Sequence, residues 1–371
     1  MSELPTSVPP ARTLAALVDT ATVVGLGTST REATETFRLV EETTHELIRR
    51  GFRVVALLDN QRVGERYDRY VRGEDIDLDV ALRQAWGPWR TVEMRDALVR
   101  LRRHNERHPN DRVHVVAVDG RRTLPADYDR VVALLASAEP ATVARIGAIF
   151  DVIRTAHDNG EHVQRLHGTH PGVPFVDLAR TARDLAARLP DSPERDEALP
   201  LIAAIVDFHA RALGAGYDAE AEERAAAERL LDHQRVTGDR VVLWEGSAHV
   251  AAHGATMLGA HLRAALGSDY AAVHVTFGHG SIPGRDIPYP VGSSLDAVLL
   301  QGGGTRVVDL RTAVAEDLAD RPGRPWRTRL ISGLYQADHD GEHYYELPSL
   351  AGSFDALAFI PTVTPIHPLP G

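Results

Sequence analysis

The sequence holds no cysteine. Disulfides, thiolate nucleophiles and cysteine-ligated zinc sites are excluded by that single absence. Long apolar runs are missing too: no stretch nears the roughly 18 residues that a membrane-crossing helix needs. Residues 1–12 are polar and Pro-rich, without the charged-then-apolar pattern of a secretory leader, so a soluble, cytoplasmic protein is expected. Positive charge is in short supply. Lys plus Arg number 41 against 52 Asp plus Glu, a formal charge of −11, and the basic residues form no arm or patch. Such a balance suits neither nucleic acid nor an anionic membrane as main partner, and a small-molecule substrate or ligand is expected instead.

Familiar chemical motifs are absent as well. Gly25-Leu-Gly27 lacks the third glycine of a dinucleotide fingerprint, and there is no Gly-Lys-Ser/Thr phosphate loop. Glu245-Gly246-Ser247-Ala248-His249 lacks the trailing glycine of a nucleophile elbow. No cofactor is expected. Histidine is plentiful, at 18 residues, so clusters arise by chance. His162, His167 and His170 share a Gly/Pro-containing loop without an acidic partner at helical spacing, and no metal is assigned there. His339-Asp-Gly-Glu-His343 offers ligand types, but its Asp-Gly core between Tyr335 and Tyr344 reads more simply as a hairpin turn.

What is present is an alternation of short apolar runs and amphipathic segments. Strands are read at 21–27, 53–58, 113–118, 240–244 and 272–277, with shorter ones near 297–300, 307–310, 330–335 and 356–360. Helical spacing occupies 32–50, 77–86, 91–105 and, after the second βαβ strand pair opens, 247–266. Residues 125–235 read almost wholly as helix and are expected to form a helical subdomain packed on the core. The fold class is therefore α/β, a mainly parallel central sheet flanked by helices.

In open parallel sheets, ligands bind outside the carboxyl ends of the strands. Four such ends gather hydroxyls, carboxylates and an imidazole: Thr28, Asp59, Asp119, and Glu245 with Ser247 and His249. Asp59, Asp119 or Glu245 could act as general base or orient a histidine, and His249 could shuttle protons near neutral pH. Asp119 reads more readily as a helix cap than as a catalytic group, and Thr28 and Ser247 are good N-caps as well.

The order of several motifs resembles the erythromycin esterase family. Val23-Val-Gly-Leu-Gly27, Gly51-Phe-Arg-Val-Val-Ala-Leu57, Asp68-Arg-Tyr-Val-Arg-Gly73 and Trp86-Gly-Pro-Trp89 carry the likeness in the first half. Val241-Val-Leu-Trp244 with His249, Thr276-Phe-Gly278, Val308-Asp-Leu-Arg311 and Phe354-Asp-Ala-Leu357 extend it. The resemblance implies an α/β core with a large helical portion. It also implies hydrolysis of a macrolactone ester by water, using Glu and His residues without a serine nucleophile. The family's first motif, Gly-Glu-x-x-His-Gly, falls on Gly27 with Thr28 in place of its Glu and Arg31 in place of its His. The Glu that ends the second strand falls on Leu58, beside Asp59. The third motif, Trp-x-His-Asn-x-His, keeps Trp244 and His249 but has Gly246 and Ser247 between them.

Water attack on an ester needs a base and a stabiliser for the oxyanion, and the first motif has lost its acid/base pair. The expectation is a repurposed enzyme of specialised metabolism catalysing cyclisation, elimination, rearrangement or altered hydrolysis. Catalysis is assigned to His249, Asp59 and Glu245, and substrate binding to Thr28, Arg31, Asp119 and Ser247. Two other readings stand beside it: a ligand-binding pseudoenzyme, and a residual esterase using Asp59 and His249 or Glu32.

Overall fold

The computed structural model describes residues 9–211, 218–254, 256–312, 318, 325–331 and 335–370. Its strands are β1 Val23–Thr28, β2 Phe52–Leu57, β3 His114–Ala117, β4 Arg240–Gly246, β5 Tyr270–Ile282, β6 Arg285–Ile287, β7 Arg306–Asp309, β8 Trp326–Arg329, β9 Tyr344–Leu347 and β10 Ala356–Val363. The main sheet runs in the order β3-β2-β4-β1-β5-β10-β7, with β6 folded back on β5. Pairing is parallel from β3 through β10 and antiparallel at β7 and β6. The mainly parallel α/β architecture read from the sequence is the one observed. β1 lies at the centre. From it the chain moves one way to β2 and β3, returns through β4, and crosses β1 to β5, so the switch of direction falls beside β1 and β4.

Side-chain alternation decides the layers. Val24, Leu26, Val55, Leu57, Val242 and Trp244 point to one face, where they pack with helices Pro10–Val18, Thr34–Ile48, Gln61–Val71 and Val92–Arg107. Val23, Val54, Ala56, Val241 and Leu243 point to the other, under helices Ala219–Thr237, Leu258–Leu266 and Leu295–Gln301. With both faces covered, the strands read as continuous apolar runs, which is why they were legible. The helices between 125 and 211 enclose a separate core that includes Tyr128, Phe150, Phe175, Ile202 and Phe208. Helix Ala219–Thr237 gives Ala226, Ala227 and Leu230 to the sheet's core instead.

Three local expectations are corrected. Residues 297–300 are helical, within Leu295–Gln301, because the Ser294 hydroxyl accepts the Ala297 N–H as an N-cap. A short apolar run does not by itself distinguish strand from helix; the cap does. The helix expected over 247–266 is two helices, Ser247–Val250 and Leu258–Leu266. Gly259 lets the second start against the end of the first, since a Cβ there would lie 2.2 Å from the Val250 carbonyl oxygen. The 339–343 segment is a helical turn, Ala337–Glu342, rather than a tight hairpin. β8 pairs with β9 from Arg329↔Tyr344, and Asp340 closes the long connection by accepting from Arg329, Tyr335 and Tyr344. Of the strand expected at 330–335, residues 332–334 lie outside the described residues. No helix among the described residues is long and apolar enough to cross a membrane.

Candidate active site

β4 ends in Trp244-Glu245-Gly246 and passes directly into the one-turn helix Ser247–Val250. Alternation sends Trp244 to one face, where its indole N–H donates to the Thr44 hydroxyl at 2.7 Å and its ring meets Phe37 edge-on. Glu245 turns to the other face and is 2% exposed. His249 lies one helical turn on. Its Nδ1 is 2.7 Å from Oε1 of Glu223, and its Nε2 is 3.6 Å from Oε1 of Glu245. An ionised carboxylate only accepts, so Nδ1 carries the proton of the first contact. The other oxygen of Glu223 accepts the Leu258 N–H at 2.9 Å, so the carboxylate that aims the imidazole is itself fixed.

Arg31, on the loop after β1, pairs with Oε2 of Glu245 and places its guanidinium 4.8 Å over the Trp86 ring. This depends on Gly246. A Cβ at that position would lie 3.0 Å from Arg31 Nη2 and 3.4 Å from His249 Cδ2. The missing side chain makes room for guanidinium and imidazole together.

Burial disfavours the His249 imidazolium, but the charge of Glu245 and the hydrogen bond to Glu223 outweigh it, and the pKa is raised above the ordinary histidine value; Arg31 opposes the rise. The site therefore favours a ring that keeps its second proton on Nε2, which suits it to proton donation. These groups open onto a cavity of about 690 Å³ at the carboxyl ends of the strands, with Leu58, Trp86, Pro88, Ala226 and Ile366 among its apolar walls. Its cations are Arg31, Arg90, Arg121 and Arg229, and the chain has no lysine. Arg90 pairs with Asp158 at 2.7 Å, and Arg121 pairs with Asp119. Glu32 pairs with Arg285 at 3.3 Å, and burial raises its carboxyl pKa against that cation's pull. Among the described residues, no group of three or more His, Asp or Glu is arranged to hold a metal ion.

The structure thus brings Arg31, Asp119, Glu245 and His249 to one cavity. Thr28 stands behind Arg31 in a small recess with Phe37 and Trp244. Ser247 is 1% exposed and faces the sheet interior: its Oγ meets His274 Nδ1 at 2.7 Å, and His274 Nε2 meets Thr328 at 2.9 Å. Burial holds the His274 pKa down to about 3, so that ring is neutral. Asp59 is fully buried in another recess, with His157 and Phe208, and Oδ1 accepts the N–H groups of Asn60 at 2.7 Å and Trp86 at 3.1 Å. Burial lifts its carboxyl from 3.8 to about 7, against those two hydrogen bonds. The carboxylate beside the His249 Nδ1 is Glu223, not Asp59.

Glu223 escaped sequence reading because it lies far from any strand end. One signal was available: with Ala226, Ala227 and Leu230 it completes a buried i, i+3, i+4, i+7 stripe, an acidic residue where an apolar one belongs. Trp86 and Arg229 gave no comparable signal.

The erythromycin esterase family model matches residues 48–363, most of the chain but not the segment holding Thr28 and Arg31. No curated protein sequence matches the chain. Among solved structures, a succinoglycan biosynthesis protein is similar at 17% identity and TM-score 0.65, covering 98% of this chain and 95% of its own. A Bacillus cereus protein is similar at 18% identity and TM-score 0.66, with coverage of 99% and 96%. A mutant of the erythromycin esterase EreC in its open conformation is similar at 14% identity and TM-score 0.58, with coverage of 95% and 93%. At these identities the likeness is one of fold.

Proposed function

The chain belongs to the erythromycin esterase family, and we propose that it is an acid–base enzyme acting on a small molecule of specialised metabolism, not a macrolide esterase by the family mechanism. One observation carries this reading: His249 is held at Nδ1 by a fixed carboxylate, Glu223, at 2.7 Å, and shares the 690 Å³ cavity with the Arg31–Glu245 pair. A held imidazole with a raised pKa serves as a general acid that protonates a departing or developing oxyanion, as cyclisation, elimination, rearrangement or altered hydrolysis requires. Arg31 holds Glu245 in place beside the imidazole.

Macrolactone opening by the family mechanism fits the same residues poorly. Thr28 and Arg31 stand where that mechanism uses Glu and His, and Leu58 stands where the second strand would end in Glu. A neutral base for activating water is then left to His249, which the two carboxylates bias toward its charged form.

The test is incubation of the protein, and of His249→Ala, with erythromycin, simple lactones, aryl esters and a small-molecule extract of its native cells, followed by mass spectrometry. Conversion of a compound in the extract, lost in His249→Ala, is expected, while erythromycin stays intact. His249-dependent hydrolysis of erythromycin would overturn the reading. Tight retention of a compound without any conversion would make the protein a binding protein instead.

A further inference from the structure

Three of the four arginines on the cavity wall have carboxylate partners: Arg31 with Glu245, Arg90 with Asp158 and Arg121 with Asp119. The fourth, Arg229, has none within ion-pair distance among the described residues. Its Nε donates to the Val118 carbonyl at 2.7 Å, and its Nη2 is buried without an acceptor. A guanidinium keeps its charge under all physiological conditions, so an unmet donor at such a place calls for an acceptor from outside.

The fold builds a seat for this group. Gly120, just past the end of β3, lies under the guanidinium: a Cβ there would stand 3.2 Å from both Nη1 and Nη2. Gly246, at the end of β4, gives Arg31 the same accommodation. Two guanidinium groups are thus seated on two strand-end glycines at one cavity, one neutralised and one not. The neighbouring acids do not complete Arg229. Asp119 is engaged by Arg121, and Glu222 has its carboxyl pKa raised, first by burial and then by Asp119, with Arg229 offsetting only part.

We propose that Arg229 anchors an oxyanion carried by the substrate, which places the substrate among small molecules bearing a carboxylate. The proposal rests on the reading of the cavity as an active site and adds a direction to it. Glu223, which holds His249, and Arg229 belong to one helix, Ala219–Thr237. Six residues at 1.5 Å each separate them by roughly 9 Å along its axis. Glu222, Ala226 and Arg229 stand at i, i+4 and i+7, a single stripe facing the cavity between the two ends. The substrate then runs from its carboxylate at Arg229 toward His249 over an apolar stretch at Ala226.

The test is calorimetric titration of the whole protein at low salt with 6-phenylhexanoate, 6-phenylhexanamide and inorganic phosphate. The acid is expected to bind about tenfold or more tightly than the amide, as a charge-assisted fork on a guanidinium warrants. Arg229→Met should bring that ratio to about one, Arg229→Lys should keep part of it as a charge without a fork, and Glu222→Gln should not reduce it. Equal binding of acid and amide would overturn the proposal, as would failure of the acid to bind. A preference that survives both Arg229 variants would place the anchor elsewhere and overturn it too. Inorganic phosphate binding as tightly as the acid would show a site for a free ion rather than a substrate anchor. His249→Ala is expected to retain the acid-to-amide ratio, so failure of the anchor and failure of the acid–base assignment are read in separate assays.

Discussion

His249 sits between two carboxylates, and its protonation is the residue-scale event on which the proposed chemistry turns. Its raised pKa means the folded state holds a proton the unfolded chain releases earlier. That contribution to stability is complete below the ordinary histidine value and is lost as pH rises through the folded value. An acid-catalysed turnover should show an alkaline limb at that same value, and Glu223→Gln should move both the limb and the His249 NMR titration to lower pH. An unmoved titration would mean that Glu223 does not hold the ring. Asp59 offers a second check, with the same sign for a different reason. Its carboxyl is lifted by burial from 3.8 to about 7, so its contribution to stability is full below the unfolded value and declines between those limits. Asp59→Asn keeps an acceptor for Asn60 and Trp86 and removes the buried charge. It should be more stable than the native protein at pH 8, by up to ~4 kcal/mol in chemical denaturation, with a flatter profile from pH 4 to 7. A destabilised variant at pH 8 would show that Asp59 works as an anion. Asp119, Glu245 and His249 were legible from the rule that ligands gather at strand ends, and Arg31 only from the first motif of the family resemblance. Glu223 and Arg229 were not, since they reach the cavity from a helix whose place over the sheet no local pattern reveals.

At the scale of elements, the glycines of β1 decide the geometry. A Cβ on Gly27 would lie 2.3 Å from Val250 Cγ2 and 2.8 Å from the Ser247 backbone, and one on Gly25 would lie 2.6 Å from the Tyr270 hydroxyl. Their purpose is close approach of the Ser247–Val250 turn to β1, and that approach sets the position of His249. Gly27→Ala should cost about 3 kcal/mol or more in urea unfolding, whereas Gly292→Ala, with open space around it, should be near neutral. Equal effects would mean the contact is not tight. The strands themselves were readable because burial on both faces leaves unbroken apolar runs. The 295–301 helix and the split at 251–257 were not, because caps and helix-to-helix contacts settled them rather than periodicity.

On the scale of the whole molecule, the sheet's switch point, helix Ala219–Thr237 and the 158–163 segment together enclose one cavity. The scaffold is that of the erythromycin esterase family, matched from residue 48 onward. Thr28 and Arg31 lie ahead of that point, and the proposed departure from ester hydrolysis by the family mechanism rests in part on them. Gly246 stands where the resemblance places the first His of the third motif, and restoring that residue tests how far the two arrangements exclude each other. Gly246→His should displace the Arg31 guanidinium from Glu245, since even a Cβ comes within 3.0 Å of it, and lower the His249-dependent turnover. The central claim is proton transfer by His249 to a substrate other than a macrolide. Its most direct measurement is comparative mass spectrometry of a native small-molecule extract, supplemented with erythromycin and incubated with the protein or with His249→Ala. The account predicts a compound consumed only by the native protein while erythromycin keeps its mass; a His249-dependent gain of one water by erythromycin would contradict it.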